Sequence, residues 1–100
     1  MKVYTVHYQV KDCYDFSVEQ TNHGCFRNET DAINALKNVV STIKEIYAYE
    51  IEKYSDKEKY PDEYSGGLYI EEDDNIFYMS FGCCEHSKSH TVWFDEWEVK

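Results

Sequence analysis

The chain is poor in the residues that break or extend structure: it has one proline and four glycines in 100 residues. That scarcity excludes collagen-like, linker-rich and disordered compositions. Arginine is scarcer still. Arg27 is the single one, and all Lys plus Arg number ten against twenty Asp plus Glu. Direct binding to nucleic acid is disfavoured, because affinity for a phosphate backbone comes from counterions released at Lys and Arg. No stretch approaches the ~20 consecutive apolar residues of a membrane span, so no membrane partner is expected. After Met1 and Lys2 the chain alternates apolar and polar side chains, unlike the apolar run of a signal peptide. The expected location is the cytoplasm, where Cys13, Cys25, Cys83 and Cys84 stay reduced. Also missing are a Gly-x4-Gly-Lys-Ser/Thr phosphate loop, a Gly-x-Ser-x-Gly elbow and a His-Glu-x2-His metal motif. Without a reaction signature, an enzyme is disfavoured and no cofactor is implied.

What remains describes a small folded chain. One hundred residues correspond to one domain, 1–100, which buries roughly two-thirds of its unfolded surface. Apolar residues make up 42%, and ten Tyr, five Phe and two Trp let few side chains fill a core. Ten phenol hydroxyls need partners or water, which places many tyrosines at the surface or its edge.

The sustained helical pattern runs from Glu29 to Tyr54. Ala32, Ile33, Leu36, Val39, Val40, Ile43, Ile46, Tyr47, Ile51 and Tyr54 recur every three or four residues and form one stripe. A continuous helix over this stretch is ~39 Å long. Asn28 is its N-cap, with Asp31 placed to return the bond. Asn34, Asn38, Ser41, Glu45, Tyr49 and Glu52 fall on the opposite, outward face.

The flanks read as strands. Lys2–Val10 alternates, and so does Cys13–Glu19, with Lys11-Asp12 as a tight turn between them. Thr21-Asn22-His23-Gly24 is a turn signal, and Cys25-Phe26-Arg27 a possible short strand. A loop of about a dozen residues spans Ser55 to Gly67, containing Pro61. Strands at Leu68–Ile70, Ile76–Phe81 and Thr91–Val99 follow, joined by the charged turn Glu71–Asn75 and by Gly82–Ser89. The expected fold is α+β: an antiparallel sheet of five to six strands against one long helix, in the order ββ(β)αβββ.

Cys83, Cys84, Glu85, His86 and His90, with His23 and Cys25 elsewhere, could supply soft ligands to zinc. Adjacent cysteines rarely both point at one ion, and His86-x3-His90 is the sole standard spacing. A small zinc-binding protein built on Cys25, Cys83, Cys84 and His86 is therefore the alternative rather than the leading reading, and free thiols are simpler. A Cys–His nucleophile needs a cationic setting, whereas Glu85 and the overall negative field raise a thiol pKa. Glu71 to Asp74 lacks the alternating spacing of a calcium loop and reads as a solvated turn.

The acid is concentrated. Residues 1–45 carry six acids and five bases, for −1, and residues 46–100 carry fourteen and five, for −9. Tyr49, Glu52, Asp56, Glu58, Tyr60, Asp62, Glu63 and Tyr64 crowd the helix end and its loop, and Asp95 and Glu96 form a second patch. Tyrosine offers large contact area, and carboxylates select a basic counterpart. The expected function is a non-enzymatic interaction module that occupies the basic, nucleic-acid-binding surface of a partner protein. In size, acidity and lack of catalytic motifs the chain is similar to phage-encoded anti-CRISPR and DNA-mimic inhibitors, and to toxin-immunity proteins.

Overall fold

A computed structural model of the chain describes residues 1–12, 18–55, 68–81 and 88–99. Seven elements follow in the order ββααβββ: β1 (Lys2–Asp12), β2 (Val18–Phe26), α1 (Glu29–Ile46), α2 (Ala48–Ser55), β3 (Leu68–Glu72), β4 (Ile76–Phe81) and β5 (Lys88–Glu98). The strands form one antiparallel sheet in the order β2-β1-β5-β4-β3, so the last strand returns beside the first.

Alternation in the strands decides which face is covered. Directly opposed residues of antiparallel strands share a face. Val6 opposes Phe94, Tyr8 opposes Val92, and Val92 in turn opposes Phe77, while Met79 opposes His90. Val6, Val92, Phe77 and Met79 are fully buried on this inner face. The helices lie over it, α1 across β1, β2 and β5 and α2 against β3 and β4. From α1 come Ala32, Leu36, Val40 and Ile43, at steps of four, four and three residues, which completes one core. The outward positions Asn34, Asn38, Ser41, Glu45, Tyr49 and Glu52 are all exposed.

The cap of α1 forms as the sequence implies, with one difference. The Asp31 N–H donates to Asn28 Oδ1 at 2.8 Å, but the return bond runs between side chains, Asn28 Nδ2 to Asp31 Oδ2 at 2.9 Å.

The single long helix is corrected to two. α1 ends at Ile46, and Tyr47 leaves the helical conformation (φ −102°, ψ 21°). Its ring sits 4.6 Å from the ring of His90. The chain turns at this contact, and α2 lies against β3 and β4. The apolar period runs through the break, and the Ile51 N–H still donates to the Tyr47 carbonyl at 2.9 Å. Periodicity alone therefore reads one helix.

The expected strand order is corrected in its first half. Thr21 to Gly24 is not a turn but the middle of β2, and Cys25-Phe26 is the end of that strand rather than a third one. Lys11 and Asp12 belong to β1, where Lys11 pairs with Val18 and Asp12 with Lys88. Residues 13–17, expected as the first part of the second strand, lie outside the described residues, as do 56–67 of the expected loop and 82–87 of the last connection. Glu71 and Glu72 extend β3, leaving Asp73-Asp74-Asn75 as the turn, in which the Asn75 N–H donates to Asp73 Oδ1.

The misread turn has a physical origin in Gly24. Between Thr5 opposite Cys25 and His7 opposite Asn22, β2 carries one residue more than β1. Gly24 absorbs that bulge with φ +120°, a region that side chains disfavour. An added Cβ there would stand 2.8 Å from Phe26 Cζ. Gly24→Ala is expected to destabilise the fold by about 1–3 kcal/mol through strain and overpacking. Urea unfolding checks this, and an unchanged midpoint would show that the bulge does not depend on glycine.

Candidate interaction surface

The register gathers acid at one end of the sheet. Lys2 opposes Glu98 and Tyr4 opposes Glu96, so the start of β1 lies beside the end of β5. Because Ile76 opposes Trp93, the turn Asp73–Asn75 points to the same end. The start of α1 joins them: Glu96 and Glu29 both act on the Tyr4 phenol and hold it above the ordinary tyrosine range, after burial as the larger cause. Lys2 is raised as well, first by its hydrogen bond to Glu96 and then by that carboxylate's charge.

Cations at this end are engaged one by one. Lys2 meets Glu96 at 3.2 Å, the terminal ammonium meets Glu98 at 3.6 Å, and Lys37 meets Asp74 at 3.3 Å. Away from this end, in the last turn of α1, Lys44 pairs with Glu72 at 2.7 Å and lies over the Phe77 ring. Exposed pairs of this kind contribute little to stability. Among the described residues Glu29, Asp31 and Asp73 make no ion pair, so the net field at this end stays negative.

Of the partner-binding residues expected from sequence, the four that are described fall into separate groups. Tyr49 and Glu52 are exposed on α2, and Lys53 of the same helix lies over both the Tyr49 ring at 5.9 Å and the Tyr54 ring at 5.7 Å. Asp95 and Glu96 are neighbours on β5 and therefore point to opposite faces of the sheet. Glu96 accepts from the Tyr4 hydroxyl at 3.3 Å, whereas Asp95 Oδ2 is 3.2 Å from His7 Nε2 on the other face. Glu96 lies at the N-terminal end of α1 and α2 follows its C-terminal end, so ~27 Å of helix separates the two groups. Asp56, Glu58, Tyr60, Asp62, Glu63 and Tyr64 lie outside the described residues. Sequence reasoning missed Glu29, Asp31 and Asp73 as members of the acidic end, because only strand order places them there.

Of the zinc candidates, Cys25 is exposed on β2, and Cys83, Cys84 and His86 lie outside the described residues. His23 Nε2 is 2.8 Å from Thr21 Oγ1. Among the described residues no three His, Cys, Asp or Glu side chains are grouped to hold a metal. No helix among them is long and apolar enough to cross a membrane.

Two polar networks stand out. On the face away from the helices, Trp97 Nε1–H donates to Thr5 Oγ1 at 2.8 Å, and that hydroxyl is 3.0 Å from His7 Nε2. Thr5, His7 and Asp95 have the residue types of a hydrolytic triad but not its geometry. Hydroxyl and carboxylate both approach the same ring nitrogen, whereas a relay needs them on different ones.

On the inner face the Tyr8 hydroxyl lies 2.6 Å from His90 Nδ1, and the two rings stack. Burial, and then Lys88, push His90 down to about 4, so the imidazole is neutral at pH 7. Burial, and then Tyr47, hold the Tyr8 phenol far above its usual range. Tyr8 and His90 therefore meet as two neutral groups at pH 7. Beside this pair a cleft of about 380 Å³ opens between α1 and the β1–β2 hairpin, walled by Tyr8, His23, Val39, Thr42 and Ile46. Its walls are mostly apolar, and His23 and the tyrosines are the titratable groups on it.

Comparison of the chain with protein-family models, curated proteins and solved structures found no match.

The buried imidazole gives the fold a pH dependence with a definite sign. An unfolded histidine titrates near 6.5 and folded His90 near about 4. Between those values the unfolded chain binds more protons, so stability is complete above about pH 6.5 and declines as pH falls towards 4. The loss attributable to His90 is at most about 3 kcal/mol. His90→Asn retains a polar partner for Tyr8 but cannot titrate. Urea unfolding at about pH 4.5 and 7 is expected to show a smaller decline in the variant than in the native chain. Equal declines would mean that the carboxylates alone set the acid response.

Proposed function

We propose that this protein is a non-enzymatic interaction module that binds a basic, nucleic-acid-binding protein and occupies the surface on which that partner holds nucleic acid. The observation that carries the reading is the distribution of carboxylates on a rigid frame. Asp73 and Asp74 on a hairpin turn, Glu96 and Glu98 on a strand end, and Glu29 and Asp31 on a helix start come together at one end of the sheet. The whole chain carries −10. Carboxylates held on separate elements can take the places that phosphates occupy on a basic protein, and the net charge speeds encounter with such a partner. This is the manner of action of the anti-CRISPR and DNA-mimic inhibitors that the chain is similar to in character.

The test is capture of partners from extract of the source cell at low and high salt, followed by competition with the partner's nucleic acid. A basic nucleic-acid-binding protein is expected, retained at ~0.1 M salt and released near 1 M, as screening requires. Charge reversal at Asp73, Asp74 and Glu96, and separately at Glu58, Asp62 and Glu63, is expected to slow association by on the order of tenfold. Binding that ignores both salt and reversal would sink the reading.

A further inference from the structure

The sheet face turned away from the helices is chemically distinct from the acidic end. On it Trp93, Asp95 and Trp97 project from alternate positions of β5, at intervals of roughly 7 Å. A carboxylate thus stands between two indoles. The rings are held in place. Trp97 is 54% exposed, yet its indole N–H is tied to Thr5 at 2.8 Å. The Trp93 ring lies beside His7, with centroids 5.3 Å apart and planes tilted by 32°. The Asp95 side chain is 45% exposed and meets His7 through one oxygen, which leaves a carboxylate with lone-pair capacity to spare.

The surroundings extend this pattern. Ile76, 40% exposed, pairs with Trp93 on β4. Beyond it Tyr69, 56% exposed, packs edge-on against Tyr78 and donates to Glu71 at 3.3 Å. The face therefore carries exposed Trp97 and Tyr69 and half-buried Trp93 and Tyr78, interleaved with the carboxylates of Asp95 and Glu71. Among the described strand residues that face this way, Lys11 is the one Lys or Arg, and it sits at the far end opposite Ser89.

We propose that this outer face is a docking surface for arginine side chains of a basic protein partner, with the indoles as stacking platforms and Asp95 as the acceptor. The proposal rests on the reading of a basic partner and names the chemistry by which that partner is held. A guanidinium is planar and weakly hydrated, so it can lie flat on an indole while its N–H groups reach a carboxylate. A lysine ammonium can satisfy the carboxylate but cannot stack, and it keeps its water more tightly. Pre-oriented rings lose little freedom when such a group settles on them. A second copy of the chain is a poor occupant, because each copy carries −10 and the face has almost no cation to offer the other's acids.

The experiment is calorimetric titration of the full chain, at ~0.1 M salt, with two peptides of equal length and charge that differ only in arginine against lysine. Native protein is expected to bind the arginine peptide at least about 3-fold more tightly. Trp97→Leu and Asp95→Asn are each expected to remove that preference while leaving the salt-sensitive binding of both peptides. Asp95→Asn preserves shape, and circular dichroism establishes that each variant is folded. Equal affinities in the native chain, or a preference that survives both substitutions, would overturn the arginine surface and leave the basic-partner reading standing. Failure of both peptides to bind would overturn both. Sedimentation of the chain alone supplies the remaining outcome: a dimer that Trp97→Leu dissociates would assign the face to a second copy and overturn the proposal.

Discussion

Strands β1 and β5, nearly a chain length apart, pair without interruption from Lys2 opposite Glu98 to Asp12 opposite Lys88. Every other feature of the molecule inherits its position from this ladder. Strand side chains alternate, so a slip of one residue would carry Val6, Val92 and their neighbours to the solvent face and bring Trp93 and His7 inward. The register is held by burial of one face: α1 and α2 cover Val6, Val92, Phe77 and Met79, while neither of these helices lies on the opposite face. Closing so long a loop is entropically costly and makes the topology rich in non-local contacts, a class that folds slowly.

The same ladder separates two kinds of surface. At one end it stacks the start of β1, the end of β5 and the β3–β4 turn, and the start of α1 settles beside them. There burial, and then Glu96 and Glu29, raise the Tyr4 phenol, and the hydrogen bond to Glu96 raises the Lys2 ammonium. Across the outer face it sets Thr5 beside Asp95 and His7 beside Trp93, which orders rings that a less constrained strand would leave to rotate. Asp95 and Glu96, adjacent in the chain, belong to different faces for that reason. Inside, His90 occupies a position that alternation reserves for apolar residues. It is tolerated as a neutral ring stacked with Tyr8 and packed on Tyr47. That contact also marks where the helix bends, so the pH-sensitive group and the kink meet at Tyr47.

Much of the architecture was legible in local patterns. The N-cap at Asn28, the buried stripe Ala32, Leu36, Val40, Ile43, the exposed row from Asn34 to Glu52 and the strand Ile76–Phe81 all follow from period and capping chemistry. Three features were not. Gly24 in the run Thr21–Gly24 looked like a turn because a bulge glycine and a turn glycine have the same residue type. The break at Tyr47 was hidden because the apolar stripe continues through it. The acidic end escaped notice because Glu29, Asp73 and Glu96 are far apart in the chain.

What the sequence determined by itself, then, was what short-range physics controls: where helix and strand form, which residues are apolar enough to be core, and that the chain is strongly acidic. Tertiary structure alone decided strand order, the face on which each charge and ring emerges, and the bend at Tyr47. Those depend on pairing between residues up to ninety-six positions apart, Lys2 with Glu98, and on a ring in α1's cap meeting a histidine in the last strand. Contacts of that separation leave no trace in the local period of the sequence, since period reports only which face of its own element a residue occupies.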